Sequence, residues 1–324
     1  MQRFSDILFV ASPGADDAAA FERTLRLAEA HQARLTIVDL QRDARLPPID
    51  APDGVTSELL HSALGDASAE VLRGYEEAAG DRVALETETL IGVGFVEVIR
   101  RVLRRGHDLV VKAVEGAQPY RHRLFGSLDM HLLRKCPVPV WLARPGTGEH
   151  HYRRLLAAID FDPHAPDADG DSLNRRVLEA AAGQALADSA ELHLVHAWQA
   201  AHEGLLRSRG VFASETQAQH YIETQQALHQ SGLERIDARF REWIGDEAHA
   251  WLAPQLHLRE GGAADVIPGA ATELAADLVV MGTVGRTGIA GLLIGNTAET
   301  ILERIDASVL ALKPPGFETP VETD

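Results

Sequence analysis

The sequence predicts two consecutive doubly wound α/β domains, and three observations lead to this fold class. The chain of 324 residues has room for two domains of ordinary size. Short apolar runs alternate with amphipathic segments, which is typical of a parallel sheet covered by helices on both faces. The order of these segments then repeats once along the chain.

The first half contains five apolar runs of strand length, separated by segments with helical spacing. The strands are expected at residues 7–12, 33–40, 83–91, 106–114 and 139–144. Helices are indicated by the spacing of Phe21 with Leu25 and of Leu60 with Leu64, and by GFVEVIRRVLRRG at 94–106. This half is therefore predicted to be one complete α/β domain.

The second half repeats the pattern, with strands expected at 155–160, 190–198, 255–260, 275–283 and 308–313. The closest internal match sets GHDLVVKAV in the first half against AADLVVMGT in the second. The joint PGTGEHHYRR has the composition of a linker. We therefore divide the chain into a first domain (1–144), a linker (145–154), a second domain (155–315) and an acidic tail (316–324).

Composition limits the class of partner. The formal net charge of −17 repels polyanions, so neither nucleic acid nor an anionic membrane is expected as a bulk partner. No run of 18 apolar residues predicts a membrane span, and the N-terminal sequence does not resemble a signal peptide. The single cysteine, Cys136, is expected to be a buried, unreactive thiol. A cytoplasmic protein is the expectation.

A glycine-rich segment after the fourth strand of the second half carries the strongest functional signal. It contains Gly282, Gly285, Gly288, Gly291 and Gly295. Glycines let backbone N–H groups approach an anion closely, and the helix expected near Asn296 and Thr297 directs the positive end of its dipole at the same place. Arg286 adds a positive charge. The alternative is a tight connection that binds nothing, although five glycines exceed what one turn requires.

Three nucleotide-binding patterns can be compared with this segment. The Walker A string is missing, and the first strand of this half runs into aspartate and proline where a Rossmann fingerprint would lie. The pattern Gly-x2-Gly-x9-Gly-[Ser/Thr] fits Gly282, Gly285 and Gly295, with Asn296 in place of the hydroxyl residue. With the strings GTVGRTGI, GNTAE and HLLRKCP, the whole chain resembles the universal stress protein family in its tandem-domain form.

The resemblance implies a five-stranded parallel sheet in each domain, with strand order 3-2-1-4-5. It also implies a stress-response regulatory protein that binds ATP, with or without Mg²⁺. Asp160 would contact adenine or ribose, and the backbone near Ala197 would line the adenine pocket. Ribose and phosphates would be held by Met281, Gly282, Gly285, Arg286, Gly295, Asn296 and Thr297. For Asp160 alone, a turn or helix-capping role is an equal alternative.

The corresponding segment of the first half is eroded. Aligning DLVV with DLVV puts Ala113 opposite Gly282, while Gly126 and Ser127 keep the spacing of Gly295 and Asn296. Ser12 ends the first strand where the second half has aspartate, and Glu115 brings a negative charge into the loop. We expect this half to be a partly degenerate partner that binds nucleotide weakly or not at all.

Two other functions stay open at this point. A slow ATPase would need Asp160 and Asp162 to position water or metal, but neither lies in a recognised catalytic motif, so no catalytic residue and no metal ligand are assigned. A carrier of a lipid-like hydrophobic ligand would use space between sheet and helices. We also expect the strands PVWLAR and SVLALK to pair, so that the two domains form a pseudo-dimer; a homodimer is possible as well.

Overall fold

The computed structural model describes residues 3–12, 17–41, 57–114, 125–144, 151–164, 170–200, 203–212, 214–283 and 294–323. Within these ranges the strands are β1 (Asp6–Val10), β2 (Arg34–Gln41), β3 (Leu85–Ile91), β4 (Leu109–Ala113), β5 (Val140–Ala143), β6 (Arg154–Ala158), β7 (Glu191–Trp198), β8 (Gln255–Glu260), β9 (Leu278–Gly282) and β10 (Ser308–Leu312).

The helices in the same ranges are α1 (Ala18–His31), α2 (Ser57–Ala79), α3 (Gly94–Arg105), α4 (Ser127–Lys135), α5 (Gly170–Asp188), α6 (Glu203–Ser208), α7 (Glu215–Ile244), α8 (Asp246–Leu252), α9 (Ala263–Glu273) and α10 (Asn296–Arg304). Two compact units result. The first unit contains residues 3–151 with 308–324, and the second unit contains residues 152–307.

The first unit is built on a sheet with strand order β3-β2-β1-β4-β5-β10. Strands β1 to β5 are parallel, and β1 and β4 are buried along their whole length. Helices cover both faces: Phe9 of β1 packs on Phe21 of α1 and on α2, whereas Leu40 lies on the opposite face against Gly94 of α3. Burial on both faces explains why these strands are largely apolar and show no alternation.

The second unit has strand order β9-β6-β7-β8, and all its pairings are parallel. Helices α5 and α7 pack together, and α10 packs on α9. The core strands β6 and β9 are almost entirely buried. This arrangement is the same doubly wound plan as in the first unit, so strands 4-1-2-3 of the repeat lie side by side in both.

The expected α/β class with largely parallel sheets is confirmed, and each expected strand is present with ends that differ by a few residues at most. The order 3-2-1-4-5 holds fully for β1 to β5. The exception is β10, which runs antiparallel to β5 and belongs to the first unit, with Val309 opposite Leu142 and Ala311 opposite Val140. The expected pairing of the two final strands is thus confirmed. An apolar edge strand such as β5 favours this pairing because its N–H and C=O groups gain partners.

Candidate functional site

The carboxyl ends of β6, β7 and β9 meet at one edge of the second unit's sheet. Ala158 is in register with both Val195 of β7 and Met281 of β9. Asp160 follows Ala158 by two residues, so it lies near Ala197 of β7 and near Gly282, where β9 ends. The next strand in the chain, β7, lies on one side of β6, and β9, which is reached from β8 through α9, lies on the other side, so this edge is a topological switch point. Ligands of open α/β sheets bind at such points.

The backbone of Asp160 is held by a side chain that sequence reasoning did not identify. Asn174 of α5 is 4% exposed; its Nδ2 donates to Asp160 O at 2.8 Å, and its Oδ1 accepts from Asp160 N at 3.2 Å. Both backbone groups of one residue are therefore satisfied by a single buried amide. The carboxylate of Asp160 belongs to an exposed residue, at the edge described above.

The next residue, Phe161, fixes the turn by packing. Its ring is stacked on His196 of β7, with centroids 3.9 Å apart, and the residue is 7% exposed. On its other side it lies against Gly232 of α7, where a Cβ would come within 2.2 Å of the ring. Phe161 is thus enclosed between a strand and a helix, and glycine at position 232 is what allows the helix to approach so closely.

Two histidines extend this contact into α7. Ile159 O can only accept, so Nδ1 of His196 donates to it at 3.2 Å, and Nε2 of His196 lies at hydrogen-bond distance, 2.9 Å, from Nδ1 of His229. Trp198 packs beside His229, with ring centroids 5.6 Å apart. The turn that carries Asp160 is therefore supported by strand, helix and aromatic stack together.

The last part of the edge lies between β9 and α10. Gly282 is half-buried, and a Cβ there would lie 2.6 Å from Cδ2 of Leu173 in α5, so a larger residue at this position would require the Leu173 side chain to move. Gly295 N donates to Thr283 O at 2.9 Å, and no side chain caps the helix at Gly295. Asn296 and Thr297 begin α10 and are exposed.

The structure thus brings Asp160, Ala197, Met281, Gly282 and the start of α10 to the same edge of one sheet. The predicted residues Gly285 and Arg286, and the glycines at 288 and 291, lie outside the described residues. The ligand-binding roles of all these residues remain predictions.

The first unit has a different arrangement at the matching edge. Ser12 is buried and its N–H donates to Oδ2 of Asp17 at 3.1 Å; the Tyr75 hydroxyl donates to the same carboxylate. Burial and the neighbouring Asp17 raise the pKa of Tyr75, so the phenol stays a donor. Phe9 and Phe21 pack against its ring. Aspartate, tyrosine and phenylalanine therefore support this turn, where the second unit uses asparagine, phenylalanine and histidine.

Three further observations concern the other expectations. Among the described residues, no helix is long and apolar enough to cross a membrane, and no group of three or more His, Cys, Asp or Glu side chains could hold a metal ion. Asp162 accepts from His164 N at 2.9 Å, as in a local turn. Cys136 is buried, as expected, and burial raises the pKa of its thiol to about 12, which disfavours the reactive thiolate.

Comparisons with known proteins agree with this fold. The family model described as "Universal stress protein family" matches residues 3–144 and again 151–313. The "Universal stress protein E homolog" of Haemophilus influenzae is 28% identical, over 96% of this chain and 98% of the relative. Universal stress protein E of Escherichia coli is 27% identical, over 100% of this chain and 98% of its own.

Among solved structures, a protein of unknown function from Pseudomonas aeruginosa is 26% identical with a TM-score of 0.62, covering 96% of this chain and 93% of the other. The likeness in sequence and in structure thus extends over both halves. The chain belongs to the universal stress protein family, with two copies of the family's domain in tandem.

Proposed function

We propose that this protein is a cytoplasmic stress-response regulator that binds ATP mainly in its second domain (155–315), with or without Mg²⁺. The observation that carries the proposal is the convergence of Asp160, Ala197 and the β9–α10 connection at a topological switch point. An exposed carboxylate suits hydroxyl groups of a ribose, and an uncapped helix start after a glycine-rich segment suits phosphate.

The rigidity of the edge supports the same proposal. Asn174 holds the backbone of Asp160, and the Phe161 ring is enclosed between His196 and Gly232. A carboxylate on such a turn loses little conformational freedom when a ligand binds, which reduces the entropic cost of binding. Regulation rather than catalysis is proposed because neither Asp160 nor Asp162 lies in a recognised catalytic motif.

The two halves provide a matched pair of variants for the test. In Asp160→Ala the second domain loses its carboxylate, and in Ser12→Ala the first domain loses the hydroxyl at the equivalent strand end. Titration calorimetry with ATP and Mg²⁺ on the full chain should give one strong site per chain. We expect Asp160→Ala to weaken it at least about tenfold, which is roughly 1.4 kcal/mol, and Ser12→Ala to leave it within about threefold.

Mass spectrometry of freshly purified protein adds an unbiased measurement. A co-purified nucleotide that Asp160→Ala fails to retain supports the proposal. A co-purified hydrophobic molecule, with no calorimetric signal for ATP, would instead favour the carrier function. Equal loss of ATP affinity in both variants would contradict the assignment to the second domain.

A further inference from the structure

We propose that a buried ion pair, Lys112 with Asp129, closes the β4–α4 edge of the first unit to phosphate, and that the apolar pair Met281 and Ala298 leaves the equivalent edge of the second unit open. Aligning DLVV with DLVV places Met281 opposite Lys112, and the same offset places Ala298 opposite Asp129. These two positions would therefore decide which unit accepts an anionic ligand.

The ion pair of the first unit is completely enclosed. Lys112 is 1% exposed and Asp129 is 0% exposed, and Nζ of Lys112 lies 3.0 Å from Oδ1 of Asp129. Nζ also donates to Ala113 O at 2.9 Å. The ammonium group thus points inward to the carboxylate and a carbonyl, so it is not placed to reach a phosphate outside the sheet.

The carboxylate of Asp129 occupies the start of helix α4. Its Oδ2 accepts a hydrogen bond from the N–H of Gly126 at 2.9 Å, and Gly126 is the residue that precedes the first turn of α4. A helix start attracts anions because its N–H groups and its dipole present positive charge. In the first unit an internal carboxylate, itself paired with Lys112, already accepts from the helix start, and an incoming phosphate would have to displace it.

The second unit lacks this internal anion. Met281 and Ala298 are 3% and 7% exposed, and both are apolar. The N–H of Gly295 donates to the backbone oxygen of Thr283, and no side chain caps it. Glu299 lies one position further along α10 and is partly exposed, so it is not enclosed at the helix start as Asp129 is.

The pair has to be exchanged as a unit. Removing one partner alone would leave an uncompensated buried charge and destabilise the fold for a reason unrelated to ligands. Met281→Lys with Ala298→Asp transfers the complete ion pair into the second unit. Met281→Gln with Ala298→Asn is the matched control, since it adds similar volume and polarity without charge.

Titration of the full chain with ATP is the first arm of the test, and this arm rests on the function proposed above. We expect the Lys/Asp exchange to weaken ATP binding at least about tenfold more than the Gln/Asn exchange does, because both replace Met281 and only the first introduces charge. Equal loss in both variants would show that volume, not charge, matters, and would overturn the proposal. Wild-type affinity in the folded Lys/Asp variant would overturn it as well.

The second arm does not depend on ATP. Lys112→Met with Asp129→Ala gives the first unit the residues of the second, and tripolyphosphate serves as the probe. Hydrogen exchange of peptides covering residues 125–135, followed by mass spectrometry on the full chain, should slow at least about twofold with tripolyphosphate in this variant and not in the wild type. No response in the variant would overturn the proposal.

The two arms also separate the two hypotheses. If wild-type protein binds no ATP, the proposed function fails, while the exchange measurement still decides whether the ion pair closes the first unit. If the Lys/Asp variant does not fold, the same measurement decides the question alone. Thermal melts of every variant, compared with the wild type, establish which of them are folded.

Discussion

Gly232 provides a sharp test of how the Asp160 turn is supported. A Cβ at this position would lie 2.2 Å from Cε2 and 2.9 Å from Cζ of Phe161. Carbon atoms in contact are normally about 3.5–4.0 Å apart, so in Gly232→Ala the ring would have to move by more than about 1 Å. It has little room to do so, because its other face is stacked on His196 and only 7% of Phe161 is exposed.

The expected magnitude follows from two opposing effects. Overpacking of a close-packed core costs about 1–3 kcal/mol. Replacing a helical glycine by alanine returns about 1 kcal/mol through helix propensity. Since the gap of 2.2 Å is far too small for a methyl group, we expect the overpacking cost to dominate and Gly232→Ala to lower the free energy of unfolding by about 1–2 kcal/mol.

Gly269 in α9 is the matched control in the same unit. It is exposed, and a Cβ there would meet nothing within 4 Å, so Gly269→Ala should raise stability by about 0.5–1 kcal/mol. Urea unfolding followed by circular dichroism measures both variants. A Gly232→Ala protein as stable as Gly269→Ala would refute the reasoning. Adding Phe161→Leu to Gly232→Ala should recover part of the loss, because the two side chains compete for one space.

Three further predictions concern other parts of the chain. Val284→Glu, in a segment outside the described residues, should weaken ATP binding at least about tenfold through charge repulsion; unchanged calorimetric titrations would contradict this. Burial lowers the pKa of Lys313 to about 7 from 10.5, so the unfolded chain binds more protons between these values and stability should rise with pH across that window. Lys313→Met should lose that rise, and equal slopes of unfolding free energy against pH in both proteins would exclude it. Trp141 in β5 is only 2% exposed, so Trp141→Asp buries a charge and should lower the melting temperature sharply. Ile91 is 51% exposed, so Ile91→Asp should change the melting temperature little. Similar losses in both variants would argue against the β5–β10 pairing as a stabilising contact.

Most of the fold could be predicted from the sequence because the physical signal is local and repeated. A strand such as β4 is buried on both faces, so apart from the paired Lys112 it is apolar, and DLVV in one half and DLVV in the other reflect the same constraint. The direction of β10 could not be predicted in this way. Its composition is compatible with either direction, and the choice depends on an edge supplied by β5, far away in the chain.

The site was predictable only in part. Glycine spacing indicates the β9–α10 connection, but it does not reveal that the Leu173 side chain approaches Gly282 closely. The support of Asp160 depends on Asn174 and Gly232, which lie far along the chain from any nucleotide motif. The sequence signal for these two residues is weak, because each is a single residue, an amide and a glycine, inside an otherwise regular helix. Only the tertiary structure reveals the partners of Asn174 and Gly232.

The difference between the two halves is better explained by interior residues than by the loops. A loop can change without disturbing the core, so the substitutions in the loop that follows Ala113 are weak evidence about ligand binding by the first domain. Lys112 and Asp129 are enclosed, and each is tolerated only because the other is present. On the proposal made above, this buried ion pair, and not merely the loss of glycines around it, accounts for the difference in ligand binding that we expect between the two domains.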